Sequence, residues 1–213
     1  MHLTIFSCST GFHSYPNPNK DYIGKLSLEY NVKGRWMDGV SILDIKRELP
    51  LHLCGNDRVV ILHIGAVEVF TYRAANVIEW CAEYFLRNPS DQYAMTFLLP
   101  KIIKASHSLT HKQDLFLSIL KPEEFEFILQ QVLHILQGTK VIVMGMSKPN
   151  TPDKLFWVEQ AAIFNQILEE EAKIVNASFV DVWNLCTQYV VDNNHLNEEG
   201  HNVLYKTIKE ILK

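Results

Sequence analysis

The chain has 213 residues, 47% of them apolar and 21% charged, which fits one globular domain that can bury a sizeable core. A formal charge of −4 without a broad basic stripe argues against a nucleic-acid partner, and no apolar run approaches the ~20 residues of a membrane span. The first residues turn polar too quickly for a signal peptide, and Cys8, Cys54, Cys81 and Cys186 lack metal spacing or a dense disulfide pattern, so a cytoplasmic chain with free thiols and no metal is expected.

Residues 2–6, His-Leu-Thr-Ile-Phe, read as a short buried strand that runs straight into Ser7-Cys8-Ser9-Thr10-Gly11. Leu26–Val32 is predicted as a second strand, followed by a loop over 33–39. Ser41-Ile42-Leu43-Asp44 has the pattern of a capping box, with Ile42, Ile45 and Leu49 on one face of a short helix that Pro50 ends. Arg58–Ile64 is a nearly continuous apolar run, as expected of a strand covered on both faces. Ala74–Leu86 has helical spacing through Val77, Ile78, Cys81 and Phe85. Pro122 opens another helix with Phe125, Ile128, Leu129, Val132, Leu133 and Leu136 inward and Gly138 as its stop. A fourth strand follows over Lys140–Met146. Thr151-Pro152 then opens a helix through Leu155, Val158, Ala162 and Leu168, and Ser178–Val182 is the fifth strand. Alternation of strands and helices argues for a parallel sheet. The stretch from Asn88 to Lys121 fits least well. It reads as a helical insertion (around 88–137), with a lid or a homodimer surface as alternatives. Its Lys101–Lys112 part carries three lysines and two histidines and reads as solvated surface.

The most informative stretch is Asp192-Asn193-Asn194-His195-Leu196-Asn197-Glu198-Glu199-Gly200-His201. Asn197 is a good N-cap, Glu198 and Glu199 suit the positive end of a helix dipole, and Val203, Leu204, Ile208, Ile211 and Leu212 give the helix an apolar face. Asp192 and His195 therefore fall in the loop before the last helix. There a carboxylate can fix the tautomer of a histidine acting as general base. At the other end, a hydroxyl on the turn leaving the first strand lies at the carboxyl end of a parallel sheet, where such sheets carry ligands. Ser9 there can be a nucleophile if a histidine takes its proton. Ser7, with Gly11 four residues on, is the candidate in a shifted register. Cys8 reads as a small buried hydrophobe, and His13 and His63 as packed or surface histidines near strand ends.

Taken together, these residues resemble the SGNH (GDSL-type) hydrolase family over nearly the whole chain. The family's Gly-Asp-Ser block falls on Ser7-Cys8-Ser9, its second block on Gly39-Val40-Ser41-Ile42-Leu43-Asp44, its Gly-x-Asn-Asp block on Gly65-Ala66-Val67-Glu68, and its Asp-x-x-His on Asp192 and His195. The resemblance implies a single-domain (1–213), three-layer α/β/α, flavodoxin-like fold with a five-stranded parallel sheet in order 2-1-3-4-5. It also implies a serine esterase or acyltransferase without metal or cofactor. Ser9, His195 and Asp192 would be the catalytic residues, and the backbone N–H groups of Ser9 and Gly39 the oxyanion donors. Val67 replaces the asparagine that would complete the oxyanion site.

Arg35, Val67, Glu68 and Arg73 lie beside these blocks and are the candidate substrate contacts. Arg73 suits a bidentate contact with a carboxylate or phosphate, a structural ion pair being the alternative. The substrate expected is a small-molecule or glycan acyl ester, with an acylated sugar or polysaccharide precursor as first choice. The alternatives are a catalytically weak or inactive binding or assembly protein, and a lipid or thioester hydrolase.

Overall fold

The structure, a computed structural model, describes residues 1–8, 20–36, 40–53, 58–69, 72–73, 116–117, 120–150, 155–191 and 194–213. The predicted helix over 74–86 and residues 88–115 lie outside the described residues. Five strands make the central sheet: β1 (His2–Ser7), β2 (Asn31–Trp36), β3 (Arg58–His63), β6 (Lys140–Met144) and β7 (Ser178–Val180). All pair in parallel, in the order β2-β1-β3-β6-β7, which is 2-1-3-4-5 when only these strands are counted. A separate antiparallel pair joins β4 (Tyr72–Arg73) to β5 (Phe116–Leu117).

Alternation along the strands divides the core in two. Phe6, Val60, Leu62 and Val143 point to one face, where they meet α2 (Ile42–His52), α4 (Pro122–Ile135) and α5 (Leu155–Ile174). Leu3, Ile5, Val59, Ile61 and Ile142 point to the other, against α1 (Tyr22–Ser27) and α7 (Glu198–Leu212). With both faces covered, β3 has no polar face to show, which explains its continuous apolar run. Phe125, Leu129 and Val132 of α4 are fully buried, so the 122–135 part of the expected insertion belongs to the helical layer that covers the sheet.

Three expected elements differ. The second strand is Asn31–Trp36, not Leu26–Val32, because Asp21 caps a short helix instead: its carboxylate accepts from the Gly24 N–H at 2.7 Å. Tyr22, Ile23 and Leu26 then share the buried face of that helix. Pro50 lies inside α2, which continues to His52. A proline in the last turn forfeits one backbone bond, and Leu49 in the core with His52 edge-on to Phe6 (5.5 Å between ring centroids) holds the turn. Strand β7 stops at Val180 because Asp181 turns to cap α6 (Val182–Cys186), accepting from the Asn184 N–H at 3.1 Å. After β6 the chain leaves the ladder in the same way. The Asn165 side chain takes over both backbone groups of Met146, at 2.7 and 3.2 Å.

Candidate active site

Strands β1, β2 and β3 end level with one another at the carboxyl edge of the sheet. Ser7 ends β1, level with Trp36 of β2 on one side and His63 of β3 on the other. Ser7 is fully buried and its hydroxyl donates to the Cys8 carbonyl at 3.0 Å, so it offers no nucleophile to a substrate. Cys8 is buried and in no disulfide, with its Sγ 4.0 Å from the His63 carbonyl oxygen, matching the small-hydrophobe reading. Ser9, the preferred nucleophile, lies outside the described residues, as do Gly39 and Asp192.

Beneath this edge sits a buried polar cluster around His63, which the sequence reads as a packed or surface histidine, with Tyr22 and His201 as partners that sequence reasoning missed. The Tyr22 hydroxyl and His63 Nδ1 are 3.1 Å apart, and the Tyr22 ring stacks on His201 of α7 at 6.1 Å. Burial, aided by the nearby His201, pushes His63 down to about 3, while burial holds the Tyr22 phenol far above its ordinary range. Both groups are therefore neutral at pH 7 and are joined by one hydrogen bond. The only hint in the sequence was Asp21, whose cap folds Tyr22 inward.

The same cluster fixes where the last helix begins. His201 is buried against Tyr22, so α7 starts on α1, which in turn reaches His63 at the end of β3 through the Tyr22 hydroxyl. Ahead of it, the Val191 N–H donates to the His195 carbonyl and the Asn197 N–H to the Tyr189 carbonyl, both at 2.9 Å. Ser147, just past β6, donates its hydroxyl to the Asn194 carbonyl at 2.6 Å. Asn197 is the N-cap of α7, as expected, accepting from the Gly200 N–H at 3.0 Å. The backbone of partly exposed His195 is thus held from both sides and from the sheet. Ser147 carried no signal in the sequence beyond its place after a strand.

Gly200 completes the support. A Cβ there would lie 2.8 Å from Tyr189 Cβ and 3.1 Å from Leu196 Cβ, so the helix can approach the histidine loop only without a side chain. Gly200→Ala should therefore lower stability by ~1–3 kcal/mol, although alanine is the better helix former. Urea unfolding checks this. A variant at least as stable as wild type would show that the loop yields freely.

The expected substrate contacts separate. Arg35 forms an ion pair with Glu48 of α2, and Arg47 reaches the same carboxylate at 2.9 Å, so Arg35 braces β2 against α2. Glu68 is fully buried in α3 (Ala66–Val69) and accepts from the Ile42 N–H at 2.5 Å, so its carboxylate faces α2 rather than solvent. Burial raises its carboxyl to about 7, against the opposing pull of backbone N–H groups, and Asp44 adds to the rise. Val67 lies in α3 beside it, and Arg73 lies on β4 opposite Phe116. Gly65, at φ 106, makes the turn that starts α3 and packs against Met146. Among the described residues no cluster of histidine, cysteine and carboxylate side chains could hold a metal, and no helix is long and apolar enough to cross a membrane.

No family profile and no curated relative matches the sequence. Solved structures do match in shape. The acetyl xylan esterase AlAXEase superposes with a TM-score of 0.65 at 16% identity, covering 100% of both chains. A member of the lipolytic G-D-S-L family from Veillonella parvula gives 0.65 at 12% identity, over 99% of this chain and 97% of that one. The acetylxylan esterase Axe2 from Geobacillus stearothermophilus gives 0.63 at 13% identity, over 98% and 92%. What these esterases share with the chain is its architecture, and that architecture is the SGNH hydrolase fold.

Proposed function

We propose that the chain is a serine hydrolase or acyltransferase of carboxylic esters, with Ser9 as nucleophile, His195 as general base and Asp192 orienting the imidazole. One observation carries this reading. The His195 loop is tied through Ser147 and Asn194 to the end of β6, and through His201, Tyr22 and His63 to the end of β1, from which the chain runs into Ser9. Ser9 Oγ attacks the acyl carbonyl carbon as its proton passes to His195. The negative oxygen of the tetrahedral intermediate is met by the backbone N–H groups of Ser9 and Gly39. His195 then protonates the departing alkoxide, leaving an acyl-serine. Water resolves the acyl-serine by hydrolysis, or an acceptor hydroxyl by transfer. Valine at position 67 supplies no side-chain donor, and one such donor is typically worth ~2.7–4 kcal/mol, so turnover of simple esters should be slow. Acetyl esters of carbohydrates are the substrates to try first, as two of the structural neighbours are acetylxylan esterases.

Treatment with a fluorophosphonate followed by peptide mapping tests the reading. Wild type should carry the label on Ser9. Ser9→Ala should lose the label and at least ~10³-fold of the turnover while keeping its melting temperature. Ser7→Ala should keep most of the activity. An unlabelled wild type, or a Ser9→Ala variant that still hydrolyses every ester wild type does, would end the serine mechanism. A second reading would then take over: a binding or assembly protein that kept the fold without the chemistry, which the missing amide at Val67 favours.

A further inference from the structure

The segment that leaves β6, Gly145-Met146-Ser147, is held at each residue by a different element. The Gly145 N–H donates to the Val180 carbonyl of β7 at 3.0 Å. Asn165 of α5 clasps Met146 on both sides, accepting from its N–H at 2.7 Å and donating to its carbonyl at 3.2 Å. That clasp needs a bare residue at 145, because a Cβ on Gly145 would lie 2.8 Å from the Asn165 Oδ1. Ser147 is 2% exposed, and its hydroxyl donates at 2.6 Å to the carbonyl of the buried Asn194, 47 residues away in sequence.

Keeping the histidine loop on the protein does not require this last bond. Val190 and Leu196 bracket His195, are buried in the core and face each other across an antiparallel bridge. The Val191 N–H donates to the His195 carbonyl and the Asn197 N–H to the Tyr189 carbonyl, which closes the loop on itself. Those contacts fix the flanks. The Asn194 carbonyl belongs to the planar peptide that leads into His195, so the Ser147 bond sets the plane from which the imidazole projects. A single χ angle separates the Ser147 hydroxyl from the backbone beside the Asn165 clasp, which leaves little slack between the two.

We propose that Ser147 and Asn165 are positioning residues that act in series. Asn165 sets the Met146 backbone, that backbone presents the Ser147 hydroxyl, and the hydroxyl steadies the peptide entering His195 while the imidazole takes and returns the proton. This rests on the reading of His195 as general base to Ser9. Two substitutions cut the series at different points. Ser147→Ala removes the donor to Asn194. Asn165→Asp keeps an acceptor for the Met146 N–H and sets an oxygen against the Met146 carbonyl.

The test is steady-state hydrolysis of p-nitrophenyl acetate at pH 7, with fluorophosphonate labelling of Ser9, thermal melts and amide exchange at Val191, whose N–H is bonded to the His195 carbonyl. Each variant should lower kcat at least ~10-fold with KM within about twofold, as expected when a reacting group is displaced after the substrate has bound. Ser147→Ala should also speed amide exchange at Val191 by about tenfold. Asn165→Asp should add nothing to the loss of kcat in a Ser147→Ala background, where the series is already cut. Ser147→Thr, which keeps the hydroxyl, should recover most of the rate. If wild type labels at Ser9 yet Ser147→Ala keeps wild-type kcat, or Asn165→Asp slows Ser147→Ala as much as it slows wild type, the contacts serve stability alone and the proposal is overturned. It is overturned equally if neither single variant folds. A wild type that neither labels nor turns over overturns the Ser9 reading and this proposal with it.

Discussion

Gly34→Ala should be among the most damaging single substitutions in the chain, removing a large share of its folding free energy. Gly34 sits in β2 at φ +129, opposite Ile5 of β1, and a Cβ there would fall on the Ile5 carbonyl oxygen and within 2.7 Å of its backbone nitrogen. The atoms struck are backbone in the middle of a sheet, so no rotamer change relieves the clash. Overpacking typically costs ~1–3 kcal/mol, and an L-residue forced into this backbone conformation costs a further ~1–3 kcal/mol. Against the ~5–15 kcal/mol that holds a domain together, the sum is a large share. Gly138 provides the control. It also has a positive φ, +81, but a Cβ there meets nothing within 4 Å. Gly138→Ala should therefore pay only the conformational term, ~1–2 kcal/mol. Urea unfolding of the two variants compares them directly, and a Gly34→Ala protein as stable as Gly138→Ala would refute the steric argument.

Gly34 also marks where sequence reading reached its limit. A strand of the pattern Asn-Val-Lys-Gly-Arg-Trp, half exposed and carrying two cations and a glycine, lacks the apolar run that made β1, β3 and β6 legible. The stronger apolar signal upstream, at Ile23 and Leu26, belongs to a helix whose cap, Asp21, is a single side chain. The last helix was legible because it rests on a long periodic segment and a good N-cap, whereas the sheet order came from the family resemblance alone. Of the expected site, Ser9, Gly39 and Asp192 lie outside the described residues, and the supports around His195 were not legible. Ser147, Tyr22 and Gly200 act through contacts between residues far apart in sequence, and Glu68 matched a family block by position while its side chain turned to α2.

Across pH 4.5 to 6.5, His63 and Glu68 should pull stability in opposite directions and nearly cancel. Folding holds His63 at about 3, below its ordinary 6.5, so between these values the unfolded chain binds a proton that the native one refuses. Its contribution is fully present above pH 6.5 and is lost as pH falls. Folding raises Glu68 from 4.5 to about 7, so its contribution is present below pH 4.5 and is lost as pH climbs toward 7. Each group gives a slope of about 1.4 kcal/mol per pH unit where only one state is protonated. Over the two units they share, each therefore accounts for about 3 kcal/mol of opposite sign. Urea titrations at several pH values can separate them. The stability of wild type minus that of His63→Gln should rise by about 3 kcal/mol from pH 4.5 to 6.5, and wild type minus Glu68→Gln should fall by a similar amount. Parallel curves for wild type and His63→Gln would mean that this histidine titrates alike in the folded and unfolded chains.

The two outer strands of the sheet also bear on how the protein behaves when crowded with copies of itself. A β-sheet recruits further strands through long, flat, uncharged borders. Here one border, β2, carries Gly34 at a positive φ and the exposed cation Lys33, so a second copy approaching it meets a charge rather than a flat apolar edge. The other border, β7, is only three residues long before Asp181 turns the chain away. Strand β7 offers a neighbouring molecule little ladder to extend, and the charge and glycine that made β2 hard to read also disfavour adding a strand there.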